Sequence, residues 1–288
     1  WTQAISKCLP ALGDGYVVGM QMGETVMSIW DLVLQRVIIP LLLGHPLDPI
    51  KRDCSKVLVQ AEEFAQQDQA LVVRYLWQLM INLSDPSKSI GTILEGEVLD
   101  PRVHKSENTL SHRMLYFSEA MLLLMFADYE AAAQRAIERG DYYFKSAPGT
   151  ATNIGETFHR AISLYAGARQ TKKKKFKKAA IKLQKRIVGW QKAGNPNVKH
   201  FVLVLDAESA ALSNKLEMAK AKYQEAITVA SKDGYLHYVA LFNERYADYL
   251  LQDPLSADEA MKRRCEAIEA YREWGAHAKV EQMMGESS

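Results

Sequence analysis

The densest run of chemistry-bearing residues lies between positions 172 and 186. Lys172, Lys173, Lys174, Lys175, Lys177, Lys178, Lys182, Lys185 and Arg186 fall there with no acidic residue among them. Ammonium and guanidinium groups at this density can hold phosphate or carboxylate, in binding that weakens as salt rises. Phe176, Ala180, Leu183, Ile187 and Trp190 recur at spacings of three and four through the same stretch. That periodicity predicts an amphipathic helix with one apolar stripe and one cationic face. Two readings stand. The bland one is a solvated outer helix face; the functional one is a candidate face for an anionic partner, either acidic protein or a peripheral anionic membrane. Nucleic acid is disfavoured, because Phe176 and Trp190 fall on the apolar stripe rather than among the lysines, where bases would stack.

The other reactive side chains form no recognisable constellation. The histidines are His45, His104, His112, His159, His200, His237 and His277, and there is no HExxH pair. Glu156 and His159 have the i, i+3 spacing of a di-iron bundle ligand pair. That chemistry needs a second such motif and two further carboxylates, and no second ExxH occurs. No GxSxG elbow, Gly-rich phosphate loop or activating cysteine signature is present. The expectation is a non-catalytic chain with no metal and no cofactor. Tyr235, Tyr238, Phe242, Tyr246 and Tyr249 line one helix at spacings of three and four; packing between helices is their simplest use.

The elements that carry these residues read as helices throughout. Ala, Leu, Glu, Lys and Met are plentiful and proline is sparse, with 9 in 288 residues, a composition that favours helix because unbranched side chains lose little rotamer freedom there. Apolar residues make up 48% and charged residues 24%, enough apolar surface to bury a core and too much for disorder. The net charge of +2 carries no message about partners. Breaks fall at Gly44-His45-Pro46, Asp85-Pro86-Ser87, Asp100-Pro101, Ala147-Pro148-Gly149, Gly194-Asn195-Pro196-Asn197, Asp233-Gly234 and Asp253-Pro254, the residue types that end helices. About twelve helices follow, mostly in pairs.

The second half is the more regular. Ala219, Tyr223 and Ala226 are spaced by four and three, and Ala260, Arg264 and Ala267 repeat that spacing one repeat length later. Small residues let paired helices approach, and an aromatic a turn away fills the groove between units. Ala219, Tyr223, Ala226, Ala260, Ala267, Tyr271, Trp274 and Gly275 are therefore the predicted repeat-packing residues, with Gly275 as a helix-ending glycine. The predicted fold is all-α, a right-handed solenoid of tetratricopeptide-like helical hairpins. Its divisions are N-terminal hairpins over 1–84, a long connecting loop over 85–108, and tetratricopeptide-like repeats over 109–288.

The segment Asn195-Pro196-Asn197-Val198, then Val204 to Leu212, Ala219 to Ile227, Ala240 to Glu244, and Ala267, Tyr271, Trp274, Gly275, Ala276, Ala278, Lys279 and Val280, resembles a block of large multidomain signalling ATPases of the AAA/STAND type. Gly19 to Glu24, Gln78 to Ser84 and Ile93 to Glu97 extend the resemblance more weakly into the first half. In that family the helical array follows a nucleotide-binding domain and is often joined to sensor, histidine kinase or nucleotide cyclase domains. The resemblance implies an interaction or sensor scaffold in signal transduction. Its partners would be other domains of a parent chain or members of an assembly. A stand-alone structural subunit of a larger assembly is the alternative.

Cys8, Cys54 and Cys265 are odd in number and far apart, without a CxxC pair. They suggest free thiols in a reducing intracellular compartment, the cytoplasm. The most apolar run, Val37 to Leu43, contains Pro40 and is far shorter than the roughly 20 residues that span a bilayer, so no transmembrane helix and no signal peptide are expected. A start at Trp1 suggests a piece of something longer.

Overall fold

A computed structural model of the chain describes residues 2–89, 91–99, 109–146 and 149–285. The described residues are helical in nearly every segment, and their one β feature is an isolated bridge between Gly96 and Leu99. In chain order the longer helices are α1 (Leu9–Met22), α2 (Thr25–Leu43), α3 (Leu47–Glu63), α4 (Gln67–Ser84), α5 (Thr109–Met125), α6 (Tyr129–Arg139) and α7 (Ala151–Thr171). They continue with α8 (Lys174–Lys192), α9 (Lys199–Ala211), α10 (Leu216–Lys232), α11 (Leu236–Leu250), α12 (Ala257–Trp274) and α13 (His277–Gly285).

The breaks have the chemistry their residues suggest. Asn195 Oδ1 accepts from the Asn197 amide at 2.9 Å and Asp253 Oδ1 from the Leu255 amide at 3.1 Å, each just ahead of a proline-led 3-10 turn. Asp128 caps α6 by accepting from the Ala131 amide, satisfying an N–H that has no partner within the helix. Gly44 and Gly275 end their helices in the left-handed region, at φ +76° and +92°. Helix α6 stops at Arg139; Gly140, at φ +57°, separates it from a short helix over Tyr142–Ser146. Of the expected loop at 85–108, residues 90 and 100–108 lie outside the described residues.

Pro40 stands within its helix without ending it. The turn Leu34–Ile38 widens to π geometry, with the Ile39 amide bonding the Leu34 carbonyl five residues back. A proline ring crowds the carbonyl four residues before it, and the widened turn makes room for that ring. The result is a continuous helix, Thr25–Leu43, long and apolar enough to cross a membrane, with half of it buried in this fold. The reading of only a short apolar run here is corrected accordingly.

Consecutive helices pack most extensively: α3 on α4, α4 on α5, α6 on α7, α7 on α8, α9 on α10 and α11 on α12. The buried apolar residues form one connected cluster from Ile29 to Met283. Contacts also join distant parts of the chain. The C-terminal helix α13 lies against α4, and the Gln282 amide donates to the Phe126 carbonyl at 3.3 Å. Near the N-terminus, the Ile5 amide donates to Asn197 Oδ1 at 2.9 Å, and Asn197 Nδ2 donates to the Gln3 carbonyl at 3.0 Å.

Candidate functional site

The lysine cluster straddles a helix junction instead of lying on one helix. Lys172 ends α7 in the left-handed region at φ +58°, Lys173 is the N-cap of α8, and α8 proper starts at Lys174. Phe176, Ala180, Leu183 and Ile187 are buried as their spacing predicted. Part of the positive charge is consumed by the neighbouring α6 side: Lys173 pairs with Glu130, Lys182 with Asp141 at 3.3 Å, and Arg186 grips both Asp141 oxygens at 3.1 Å. Arg186 also lies 4.2 Å over the Phe144 ring. The Asp141 carboxyl is held below its ordinary range chiefly by its hydrogen bond to Arg186. Lys175 donates to Gln134 at 2.9 Å. Lys172, Lys174, Lys177, Lys178 and Lys185 remain exposed, with no ion pair among the described residues. The candidate anionic-partner face is therefore narrower than the sequence stretch: Arg186 is held by Asp141, and Lys173 and Lys182, though exposed, already have carboxylate partners.

A second exposed feature has no counterpart in the sequence reading. A groove of about 830 Å³ runs between α10 and α12, over α11, and ends at the Gly44-His45-Pro46 turn. Ile227 and Ser231 form one wall, Leu236, Val239 and Asn243 the floor, and Lys262, Cys265, Glu266, Glu269 and Glu273 the other wall. Glu266, Glu269 and Glu273 are spaced by three and four, so the sequence could have shown that they share a helix face. It could not have shown what faces them. An apolar cavity of about 460 Å³ lies elsewhere, lined by Ile5, Leu12, Trp30, Ile38, Met114 and Thr152 among others.

Several charged side chains are buried, and most of them engage one another. Glu208, fully buried, takes a bidentate contact from Arg245 at 2.8 and 3.2 Å and a further one from Arg169 at 3.4 Å. Burial raises the Glu208 carboxyl, but the two guanidinium groups outweigh it and hold it below its ordinary range. Arg169 also donates to Tyr223 at 3.1 Å, and Arg245 to Asp248 at 3.1 Å. A second set joins Glu244 to Lys279 at 2.6 Å and to Tyr271 at 2.7 Å. A third sets Glu156 between Arg139 at 3.2 Å and Arg160 at 3.7 Å. Burial pushes the Glu156 carboxyl up, and the arginines only partly offset it.

The Glu156–His159 pair does not converge on a common point. Glu156 turns to the arginines, while His159 packs against Phe117 and Phe158 at 5.4 and 5.5 Å between ring centres. No group of three His, Cys, Asp or Glu side chains among the described residues is placed to hold a metal ion. His159, His200 and His237 share an aromatic cluster with Phe201, Tyr238 and Phe242. Both His200 ring nitrogens and the Nδ1 atoms of His159 and His237 lack a hydrogen-bond partner. Burial lowers His159 to about 4 and His200 to about 3, and holds His237 well down.

The predicted packing residues Ala219, Tyr223, Ala226, Ala260, Ala267, Tyr271 and Trp274 are all buried. Tyr223 stacks on Tyr246 at 5.0 Å between ring centres, which places it between the α10 and α11 helices. Trp274 Nε1 reaches across to the His45 carbonyl, and Gly275 lies against Leu47. Comparison with family models, curated proteins and solved structures finds no match to this chain.

Proposed function

We propose that this chain is a non-catalytic interaction or sensor segment of a multidomain signal-transduction protein. In this reading the helix pairs are a tetratricopeptide-like solenoid, bent so that its first and last units touch. The observation that carries it is the open groove between α10 and α12, set beside an interior whose charged side chains are engaged with each other. A reacting site needs polar groups converging on accessible space. Here the densest polar groups, around Glu208 and Glu244, lie buried in helix-helix ion pairs. The resemblance to the helical arrays of AAA/STAND ATPases points the same way, toward partners in a parent chain or assembly and a cytoplasmic setting.

The test is cross-linking with mass spectrometry on the protein isolated intact from its native source. Cross-links from Lys232 and Lys262, which flank the groove, to other domains or chains are the expected result. A protein that yields no cross-link from this chain to any other domain or chain would rule the reading out.

A second reading rests on Lys172, Lys174, Lys177, Lys178 and Lys185, whose charge nothing among the described residues offsets. Like charges held together without counterions favour an anionic partner, and the first-turn amides of α8 add to the same potential.

A further inference from the structure

We infer that the groove between α10 and α12 takes a basic linear peptide, a segment of another domain or protein rich in Lys or Arg. The inference rests on the interaction reading and specifies the partner's chemistry.

The groove's charge is lopsided. Its α12 wall carries Glu266, Glu269 and Glu273 against Lys262 alone, while Ile227, Ser231, Leu236 and Val239 on the other surfaces carry no charge. Among the described residues, Glu266 is paired only with Arg263, three residues back, and Glu269 only with Arg272, three residues on. The Arg272–Glu269 pair is exposed, and such pairs within one helix are weak and readily exchanged for a better partner; the half-buried Arg263–Glu266 pair is held more firmly. Glu273 is exposed and has no ion pair among the described residues. A Lys or Arg side chain matches this surface in both its parts. Its aliphatic stem can lie on Leu236 and Val239 while its cationic head reaches the carboxylates. Acidic peptides, phosphate backbones and anionic lipid would all meet the carboxylates with like charge.

The floor favours extended chain over helix. Asn243 is 2% exposed. Its Nδ2 donates to the Val239 carbonyl at 3.0 Å, and its Oδ1 has no donor. The oxygen is buried as it stands, and it could accept an incoming backbone N–H only if the amide turned toward the groove and gave up its bond to Val239. An extended peptide has N–H groups to give, whereas a helix spends its own internally. From Lys262 to Glu273 the α12 wall is about 16 Å long at the helical rise, the span of about five extended residues.

Cys265 lies on the same wall and is exposed, whereas Cys54 is buried and Cys8 partly so. Alkylation of Cys265 by iodoacetamide, followed by mass spectrometry on the intact chain, therefore reports occupancy of the groove. The probe is a synthetic octapeptide alternating Arg with Leu; the control replaces each Arg with Glu. The Arg peptide should slow alkylation about fivefold and the Glu peptide should leave it unchanged, with protection falling below about twofold in E266Q/E269Q/E273Q. Thermal melting of that variant, and the single variant Glu273→Gln, show whether any loss comes from unfolding. Equal protection by both peptides, protection by neither, or protection kept in the folded triple variant would overturn the inference. If the peptides fail while native cross-links still map to Lys232 and Lys262, the partner chemistry is wrong and the interaction reading stands. If both fail, the interaction reading falls as well.

Discussion

Trp274 Nε1 donates to the carbonyl oxygen of His45 at 3.1 Å, joining residues 229 positions apart. The indole is fully buried and lies 5.5 Å from the His237 ring. It ties the turn that closes α2 to the end of α12. Removing the indole in Trp274→Ala should cost about 3–5 kcal/mol, the usual range for deleting a buried aromatic. Trp274→Phe keeps much of the packing and deletes the hydrogen bond, at a cost nearer 1–2 kcal/mol. Urea unfolding of both variants measures the two parts. Equal losses would mean that the hydrogen bond is the whole contribution.

Gly44 sits at φ +76° directly against the same region. A Cβ added there would lie 2.1 Å from His237 Nδ1 and 3.0 Å from the Leu236 amide nitrogen. Gly44→Ala should therefore destabilise the fold by more than the roughly 1 kcal/mol of left-handed strain alone. Gly23, also left-handed at φ +81° but with nothing within 4 Å, should show only the strain. A thermal melt comparing the two variants separates crowding from conformation.

Glu208 is the shared anion of two buried arginines. Glu208→Ala removes the carboxylate that the two arginines share, leaving Arg245 with Asp248 and Arg169 with Tyr223, and should cost about 3–5 kcal/mol. The double variant Glu208→Leu, Arg245→Met removes the closest pair together and should cost less than the sum of the two single changes. Additive losses in a denaturation cycle would show that the two residues act independently.

The buried histidines set an acid limit. Their folded-state values, about 4 for His159 and about 3 for His200, lie below the roughly 6.5 of an unfolded chain. Between those values the unfolded chain binds more protons, so stability falls as pH falls from about 6.5 toward 4, by about 1.4 kcal/mol per pH unit for each histidine. Glu156 and Glu244, raised chiefly by burial, titrate in the opposite sense above about 4.5 and offset part of that slope. His200→Leu removes two unpartnered buried nitrogens and one titrating group. It should raise stability at pH 7 by about 1 kcal/mol and flatten the slope between pH 6.5 and 4. An unchanged slope in urea titrations at stepped pH would contradict the burial of a neutral His200.

The exposed lysines should matter little to folding. Charge reversal at Lys174, Lys177, Lys178 and Lys185 together should move stability by no more than about 1 kcal/mol, because none is paired among the described residues. The same variant should abolish any salt-sensitive retention on phosphatidylserine vesicles, which tests the second functional reading. Asp141→Asn is the counterpart. It frees Arg186 and Lys182, so it should lower stability while strengthening vesicle retention.

Much of the helical architecture was legible in the chain itself. The i, i+3, i+4 recurrence of Phe176, Ala180, Leu183 and Ile187 defined the buried stripe of α8, since a helix returns to the same face every 3.6 residues. The breaks at Asn195-Pro196 and Asp253-Pro254 were readable because their side chains cap locally. The small residues Ala219, Ala226, Ala260 and Ala267 likewise announced close packing, and all are buried. The helix α13 went unread, although Ala276, Val280 and Met283, all buried, sit at spacings of four and three. The backbone adjustment at Leu34–Ile38 that carries α2 past Pro40 is one that no residue type signals.

What tertiary structure alone decided is which charges remain free and which surfaces meet. Lys173 and Lys174 are neighbours of one type, yet Glu130 of α6 claims the first and not the second. Glu208 and Glu269 are both glutamates on helices, yet one is buried between two arginines and the other lines a groove. Periodicity fixes the face a side chain occupies because helix geometry is local. The partner across that face comes from packing between segments far apart in the chain, as between His45 and Trp274, and local sequence does not encode it.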